Sequence, residues 1–247
     1  MKFTIFGLII AVAAALLFLS GEQRAEPAGE IRFGLEKTTL SVDTLIDAGA
    51  SIPINGGLKN IKVNKTFARS GSASLEVRLK PGETRAEAKI ASIPNNSTRI
   101  AGFSVYFPAD FKPPEHWSVF AQWWQGRDVS PSIAFELDDT DNSKLAMRII
   151  SRAGNKKSNR YTTHYTGELP RERWIDFTVE FRIDDTGGQN GLLRVYRNGE
   201  LIVNYSGKLG YTDQLSVTGF RIGLYRSARN MTDARLYFDD IFVRPPQ

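Results

Sequence analysis

Residues 192–205 read Leu-Leu-Arg-Val-Tyr-Arg-Asn-Gly-Glu-Leu-Ile-Val-Asn-Tyr, LLRVYRNGELIVNY. Two runs in which apolar and polar residues alternate flank the pair Asn198-Gly199. Asn-Gly suits a tight turn whose two central residues both need positive φ, and the twist of such a turn matches two antiparallel strands. A β-hairpin is predicted here. The same period of two recurs along the chain. Leu75, Val77 and Leu79 alternate with Ser74, Glu76 and Arg78, and Phe103, Val105 and Phe107 alternate with Ser104 and Tyr106. Phe177, Val179, Phe181 and Ile183 alternate with Thr178, Glu180 and Arg182. Pro81-Gly82, Pro94-Asn95-Asn96, Pro113-Pro114 and Gly187-Gly188 punctuate these runs as turns. Helical periodicity is almost absent from about Glu30 onward. Many short strands at regular spacing predict an all-β fold, a two-sheet β-sandwich of jelly-roll type.

Residues 36–62 have little periodicity and read as a long irregular crossing. No linker or internal repeat divides the rest, so residues 26–247 are expected to form one domain. Residues 1–25 stand apart. Lys2 precedes an apolar run from Phe3 to Leu19, followed by the polar stretch SGEQRAEPAGE. This is the pattern of a signal peptide, with cleavage after Gly21 or Ala25. The run is close in length to a membrane span, so an uncleaved anchor is the alternative. Either outcome implies export, to the periplasm or the medium. The chain has no cysteine, which excludes disulfides, thiolate metal sites and a cysteine nucleophile. Its net charge of +5 suits a polyanionic ligand, although the same excess also serves solubility. Nucleic acid is not expected, because the chain is exported and its cations are interspersed with acids. A membrane is expected to be met only through the anchor, and the protein is expected to be a monomer.

The residues that project away from the core are the unusual ones. In FRIGLYR (220–226), Phe220, Ile222 and Leu224 share one side, while Arg221, Gly223 and Tyr225 share the other. In TRAEAKI, Arg85, Glu87 and Lys89 oppose Ala86, Ala88 and Ile90. In SVFAQWWQG, Phe120, Gln122 and Trp124 oppose Val119, Ala121 and Trp123. In AMRIISR, Arg148, Ile150 and Arg152 oppose Met147, Ile149 and Ser151. Solvated antiparallel faces carry polar residues anyway. Exposed tryptophan and tyrosine beside arginine point instead to a groove for an acidic sugar polymer. Aromatic faces stack on sugar rings, guanidinium groups meet carboxylates, and amides order hydroxyls. Gly223 would let a bulky ring approach the backbone.

At these residues the chain resembles the heparin-lyase-I-like and glucuronan-lyase-like polysaccharide lyases, which share a concanavalin A-like jelly roll with alginate lyases. RAEAK (85–89) is similar to the family's Arg-x-Glu-x-Arg strand, and FAQWWQG (120–126) to its Gln-x-His strand. GFSVYFPADFKPP (102–114), SPSIAFEL (130–137), ERWIDFTVEFRID (172–184), VYRNGELIVNYSGKLGYTD (195–213), FRIGLYRS (220–227) and FDDIFV (238–243) follow in family order. The resemblance implies β-elimination on a uronate polymer. Tyr225, in the family's Gly-x-Tyr strand, is the expected base and acid. Gln122, with Arg85 and Lys89, is expected to neutralise the carboxylate. Trp124, Arg148, Arg152, Arg221 and Arg226 are expected to bind substrate. Trp124 stands where the family has histidine. His116, on the loop before the Gln122 strand, and His164 are the candidate replacements, His116 being the one taken as catalytic, although both are expected by default in exposed loops.

Family members can carry a structural calcium, and Asp213 or the cluster Asp138, Asp139 and Asp141 would suit one; no metal is assigned. Two further readings compete. Glu136, Asp138 and Asp141 loosely resemble the acid strand of jelly-roll glucanases, which would make the protein a retaining hydrolase. Without the family histidine, the fold could instead serve only to bind glycan.

Overall fold

A computed structural model describes residues 30–32, 35, 57–126, 128–138 and 144–247. The segment expected to direct export, most of the irregular crossing, and Asp139 and Asp141 lie outside the described residues. The first strands are β1 (Ile31–Arg32), β2 (Ile61–Asn64), β3 (Ser74–Leu79), β4 (Arg85–Pro94), β5 (Arg99–Tyr106), β6 (Ser118–Trp124), β7 (Ile133–Leu137) and β8 (Ala146–Gly154). They are followed by β9 (Asn159–Glu168), β10 (Trp174–Arg182), β11 (Gly191–Arg197), β12 (Glu200–Gly207), β13 (Gly210–Tyr211), β14 (Val217–Arg226) and β15 (Ala234–Arg244). A helical turn at Gly57–Asn60 precedes β2. Among the described residues no helix is long and apolar enough to cross a membrane.

The strands form two sheets. The first has the order β12-β11-β10-β5-β15-β3-β2, with β1 on β15; the second has the order β13-β8-β7-β6-β14-β4, with β9 on β8. The chain crosses between sheets from β3 to β4, β4 to β5, β5 to β6, β9 to β10, β12 to β13 and β14 to β15. Both sheets therefore belong to one all-β jelly-roll sandwich, as the alternation predicts. The predicted hairpin is β11–β12, with Asn198 at φ 50° and Gly199 at φ 84° in its turn.

Alternation places the core. Phe103 on β5 meets Phe177 and Phe238 from its own sheet and Phe120, Phe135 and Phe220 from the facing one. Trp123 stacks on Phe220 at 4.7 Å between centroids. Each such ring removes a large apolar area from water, and the contacts hold the two sheets in register.

One strand departs from simple alternation. Val119 was expected inward and Phe120 outward, but Phe120 is fully buried in the main core. Val119 joins Ala134 and Ile150 in a small cluster on the other face. The cause is a β-bulge: Val119 pairs with Glu136 and Ala121 with Phe135, so Phe120 is an extra residue against β7. The offset is absorbed there, and Ala121, Gln122, Trp123 and Trp124 keep the predicted sides.

His164 lies in β9 rather than in a loop, half-buried, with its ring 4.5 Å from that of Tyr205 and Nε2 2.7 Å from Ser151 Oγ. Burial holds its pKa below the ordinary histidine value.

Two outcomes follow. Phe103→Ala is expected to cost about 3–5 kcal/mol in denaturant unfolding; a loss below about 1 kcal/mol would contradict its place at the centre of the core. The unfolded state takes up the proton of His164 more readily than the folded state. Stability is therefore expected to fall as the pH drops below about 6.5, towards the lower folded-state pKa. Thermal unfolding across that range should show a shallower decline for His164→Gln; an unchanged slope would contradict the assignment.

Candidate active site

The outer face of the second sheet carries a cleft of about 720 Å³ lined by Arg85, Trp117, Val119, Gln122, Trp124, Glu136, Arg152, Tyr225 and the loop Asp128–Pro131. Its floor is drawn from five adjacent strands: β4, β14, β6, β7 and β8. Its size suits a ligand of a few rings. Tyr225 and Gln122 thus face one hollow.

Tyr225 is held on both sides. The Arg85 guanidinium lies 3.7 Å from its ring centroid, and Trp117 meets it edge to face at 4.9 Å. Trp117 is 44% exposed. Sequence reading missed it, because without the bulge Val119, two residues on, is taken as core. Trp124 fixes the opposite wall: its Nε1 donates to the Val129 carbonyl at 2.8 Å, and Arg221 lies 4.9 Å over its ring.

Beneath the floor sits Glu87, with no exposed surface. It accepts a hydrogen bond from Gln122 Nε2. Its second oxygen is 3.3 Å from Arg85 Nε, an ion-pair approach without hydrogen-bond geometry. Burial pushes its pKa up, against the pull of Arg85, the Gln122 bond and Arg221. Burial in turn lowers the pKa of Arg221, opposed by Glu87 and reinforced by Arg85.

Gly223 has a reason other than an approaching sugar. Its φ is +139°, and a Cβ there would lie 2.1 Å from the Ala86 carbonyl oxygen of β4. Glu87 pairs with Gly223 from one side of β14, and Gln122 pairs with Arg221 from the other. Their hydrogen bond therefore passes over β14 between Arg221 and Tyr225, where the strand has no side chain.

The remaining expected ligands divide. Arg152 lines the cleft and donates to the Pro131 carbonyl at 3.0 Å, with Glu136 at 3.5 Å. Arg148 lies between Glu136 at 3.8 Å and Asp138 at 4.0 Å. Tyr161, which alternation did not single out, donates to Glu136 at 3.2 Å. Lys89 and Arg221 face each other across β4 and β14 and line a smaller hollow beyond Trp124 with Leu215 and Val217. Like charges directly opposed destabilise a sheet, and an anion relieves that repulsion.

Two expected residues are elsewhere. Arg226 is 2% exposed and donates to the carbonyls of Glu83, Thr232 and Lys80 at 2.6–3.0 Å and Leu79 at 3.4 Å. It ties loops together and does not line the cleft. Its position follows from alternation, since it shares the parity of Leu224. His116 is also outside the cleft lining, with Nδ1 3.2 Å from Arg229 and its backbone held by Asn230. As for calcium, both Asp213 oxygens accept the Lys156 backbone N–H at 3.0 Å. Among the described residues no group of three or more acidic or histidine side chains is placed to hold a metal.

Many solved structures are similar, three of them as follows. The endo-β-1,4-glucuronan lyase from the fungus Trichoderma reesei has a TM-score of 0.63 at 13% identity, covering 89% of this chain and 95% of that one. A double mutant of the alginate lyase Aly36B, in complex with an alginate tetrasaccharide, has a TM-score of 0.61 at 10% identity, covering 89% and 98%. The marine PL-14 alginate lyase from Aplysia kurodai has a TM-score of 0.51 at 14% identity, covering 79% and 90%. Identities this low carry the fold alone. No curated protein sequence matches this one. The family is carried by a separate match, since the polysaccharide lyase family model aligns with residues 41–242. The chain belongs to the polysaccharide lyase family.

Proposed function

We propose that this lyase is exported and cleaves an acidic, uronate-containing polysaccharide by β-elimination, in the manner of the glucuronan-lyase-like group. The observation that carries the reading is the meeting of Tyr225, Arg85 and Gln122 in one cleft. Elimination needs a neutralised carboxylate, a base for the C5 proton and an acid for O4. Arg85 and the second N–H of Gln122 are suited to the carboxylate. Tyr225, as phenolate, takes the C5 proton. The electron pair forms the C4–C5 double bond, the C4–O4 bond breaks, and the phenol returns the proton to O4.

One residue serves both steps only when the C5 hydrogen and O4 leave from the same side. That geometry belongs to glucuronate and mannuronate units and not to guluronate or iduronate. With Trp124 in the family's histidine place, syn elimination is the reading the cleft supports. Glu136 and Asp138 do reach the same face, but Arg148 lies between them, which opposes a free nucleophile and acid pair.

Ultraviolet absorbance at the unsaturated-uronate band tests the chemistry. Wild-type protein is expected to raise it on glucuronan or mannuronate-rich alginate, and Tyr225→Phe to lower the rate by about 10²–10⁴-fold. Binding without absorbance growth would favour a glycan-binding role, and reducing ends without it a hydrolase. Guluronate activity above activity on both other polymers would overturn the syn assignment. Arg226→Met supplies the contrast: stability should drop by about 1–3 kcal/mol as buried carbonyls lose their donor, with KM unchanged. A raised KM with unchanged stability would return Arg226 to the substrate.

A further inference from the structure

Elimination places its demand on one amide. The carboxylate gains charge as the C5 proton leaves, so Gln122 must present an N–H and not its oxygen. An amide left to itself offers either, since its two ends differ little in shape. The floor of this cleft contains a group able to decide between them. Glu87 has no exposed surface, lies against the Gln122 amide, and has Arg85 Nε 3.3 Å from its other oxygen.

We propose that Glu87 is the positioning residue of this site: a carboxylate beneath the cleft floor that draws one N–H of Gln122 downward and so turns the other towards the substrate carboxylate. The proposal rests on the lyase reading above. The contact runs from Gln122 Nε2 to Glu87 Oε1, so the nitrogen end of the amide is the one that faces Glu87. Arg85 and Arg221 oppose the effect of burial on that carboxyl group. Three atoms in this nest, Arg85 Nε, Glu87 Oε2 and Arg221 Nε, are buried without hydrogen-bond partners. A core arranged for stability alone would not leave them so. Gly223 belongs to the same device, because the Gln122–Glu87 contact spans β14 at the position that has no side chain. Glu87 touches no substrate, and its effect passes through Gln122.

The test is a double-mutant cycle of Glu87→Gln and Gln122→Ala, followed by product absorbance on the polymer that wild type cleaves. A glutamine at 87 can offer either oxygen or N–H, so it no longer dictates the orientation of its neighbour. Gln122→Ala is expected to cost about 10²–10³-fold in kcat. Glu87→Gln is expected to cost at least about tenfold in kcat with little change in KM, and nothing further once Gln122 is absent. An equal loss in both backgrounds would overturn the proposal. Should Glu87→Gln fail to fold, Glu87→Asp, which keeps the charge but withdraws it, carries the same cycle. A second readout needs no turnover. In ¹⁵N-labelled protein the two side-chain amide protons of Gln122, assigned by their loss in Gln122→Ala, are expected to exchange with solvent at unequal rates, the inner one slowed. Glu87→Gln should bring the rates together. Equal rates in wild type would overturn the proposal, even if no uronate polymer is cleaved and the lyase reading itself has fallen.

Discussion

A β-strand offers its side chains to two faces in turn, and in a sandwich one of those faces must be the core. That constraint organises this molecule. In the second sheet, Phe120, Trp123, Phe220, Ile222 and Leu224 bind the sheet to its partner. Whatever chemistry the protein performs is left to the residues between them. Two irregularities then tune the arrangement. The extra residue at Phe120 in β6 brings Val119 to the cleft face, and Gly223 in β14 opens a gap between Arg221 and Tyr225. Through that gap, side chains of strands that are not neighbours in the sheet touch.

The electrostatics of the cleft follow from the same layout. Its cations are partly buried, where they are poorly hydrated and attract anions more strongly than a surface lysine would. Some have acid partners: Arg152 has Glu136, and Arg85 has Glu87. The pairing is incomplete in geometry, as the unbonded Arg85 and Arg221 nitrogens show. Lys89 and Arg221 stand opposite one another. A chain of uronates would supply the missing negative charge along this face, which gives physical content to the excess of basic residues in the sequence.

Much of this was legible beforehand. The Asn198-Gly199 turn, the Phe103 strand and the two sides of FRIGLYR are local patterns with a fixed period, and they appear as read. So does the company of Tyr225, Gln122 and Arg85. Several readings failed, some for reasons a single sequence does not carry. Phe120 and Val119 exchanged faces because a bulge depends on the partner strand. Gly223 was given to a sugar, whereas the backbone of β4 occupies the space where its Cβ would be. Arg226 was grouped with Tyr225 by adjacency, although parity already placed it on the other side. Trp117 and Glu87 were present in the pattern, but their roles need contacts between strands far apart in the chain.

The most direct measurement is a crystal structure of Tyr225→Phe soaked with a glucuronate oligosaccharide. The account predicts a uronate ring in the cleft, its carboxylate about 2.7–3.2 Å from the Arg85 guanidinium and the Gln122 amide, and its C5 hydrogen turned to the ring at position 225. A ring bound with its carboxylate away from both groups, or an oligosaccharide seated on the opposite sheet, would contradict it.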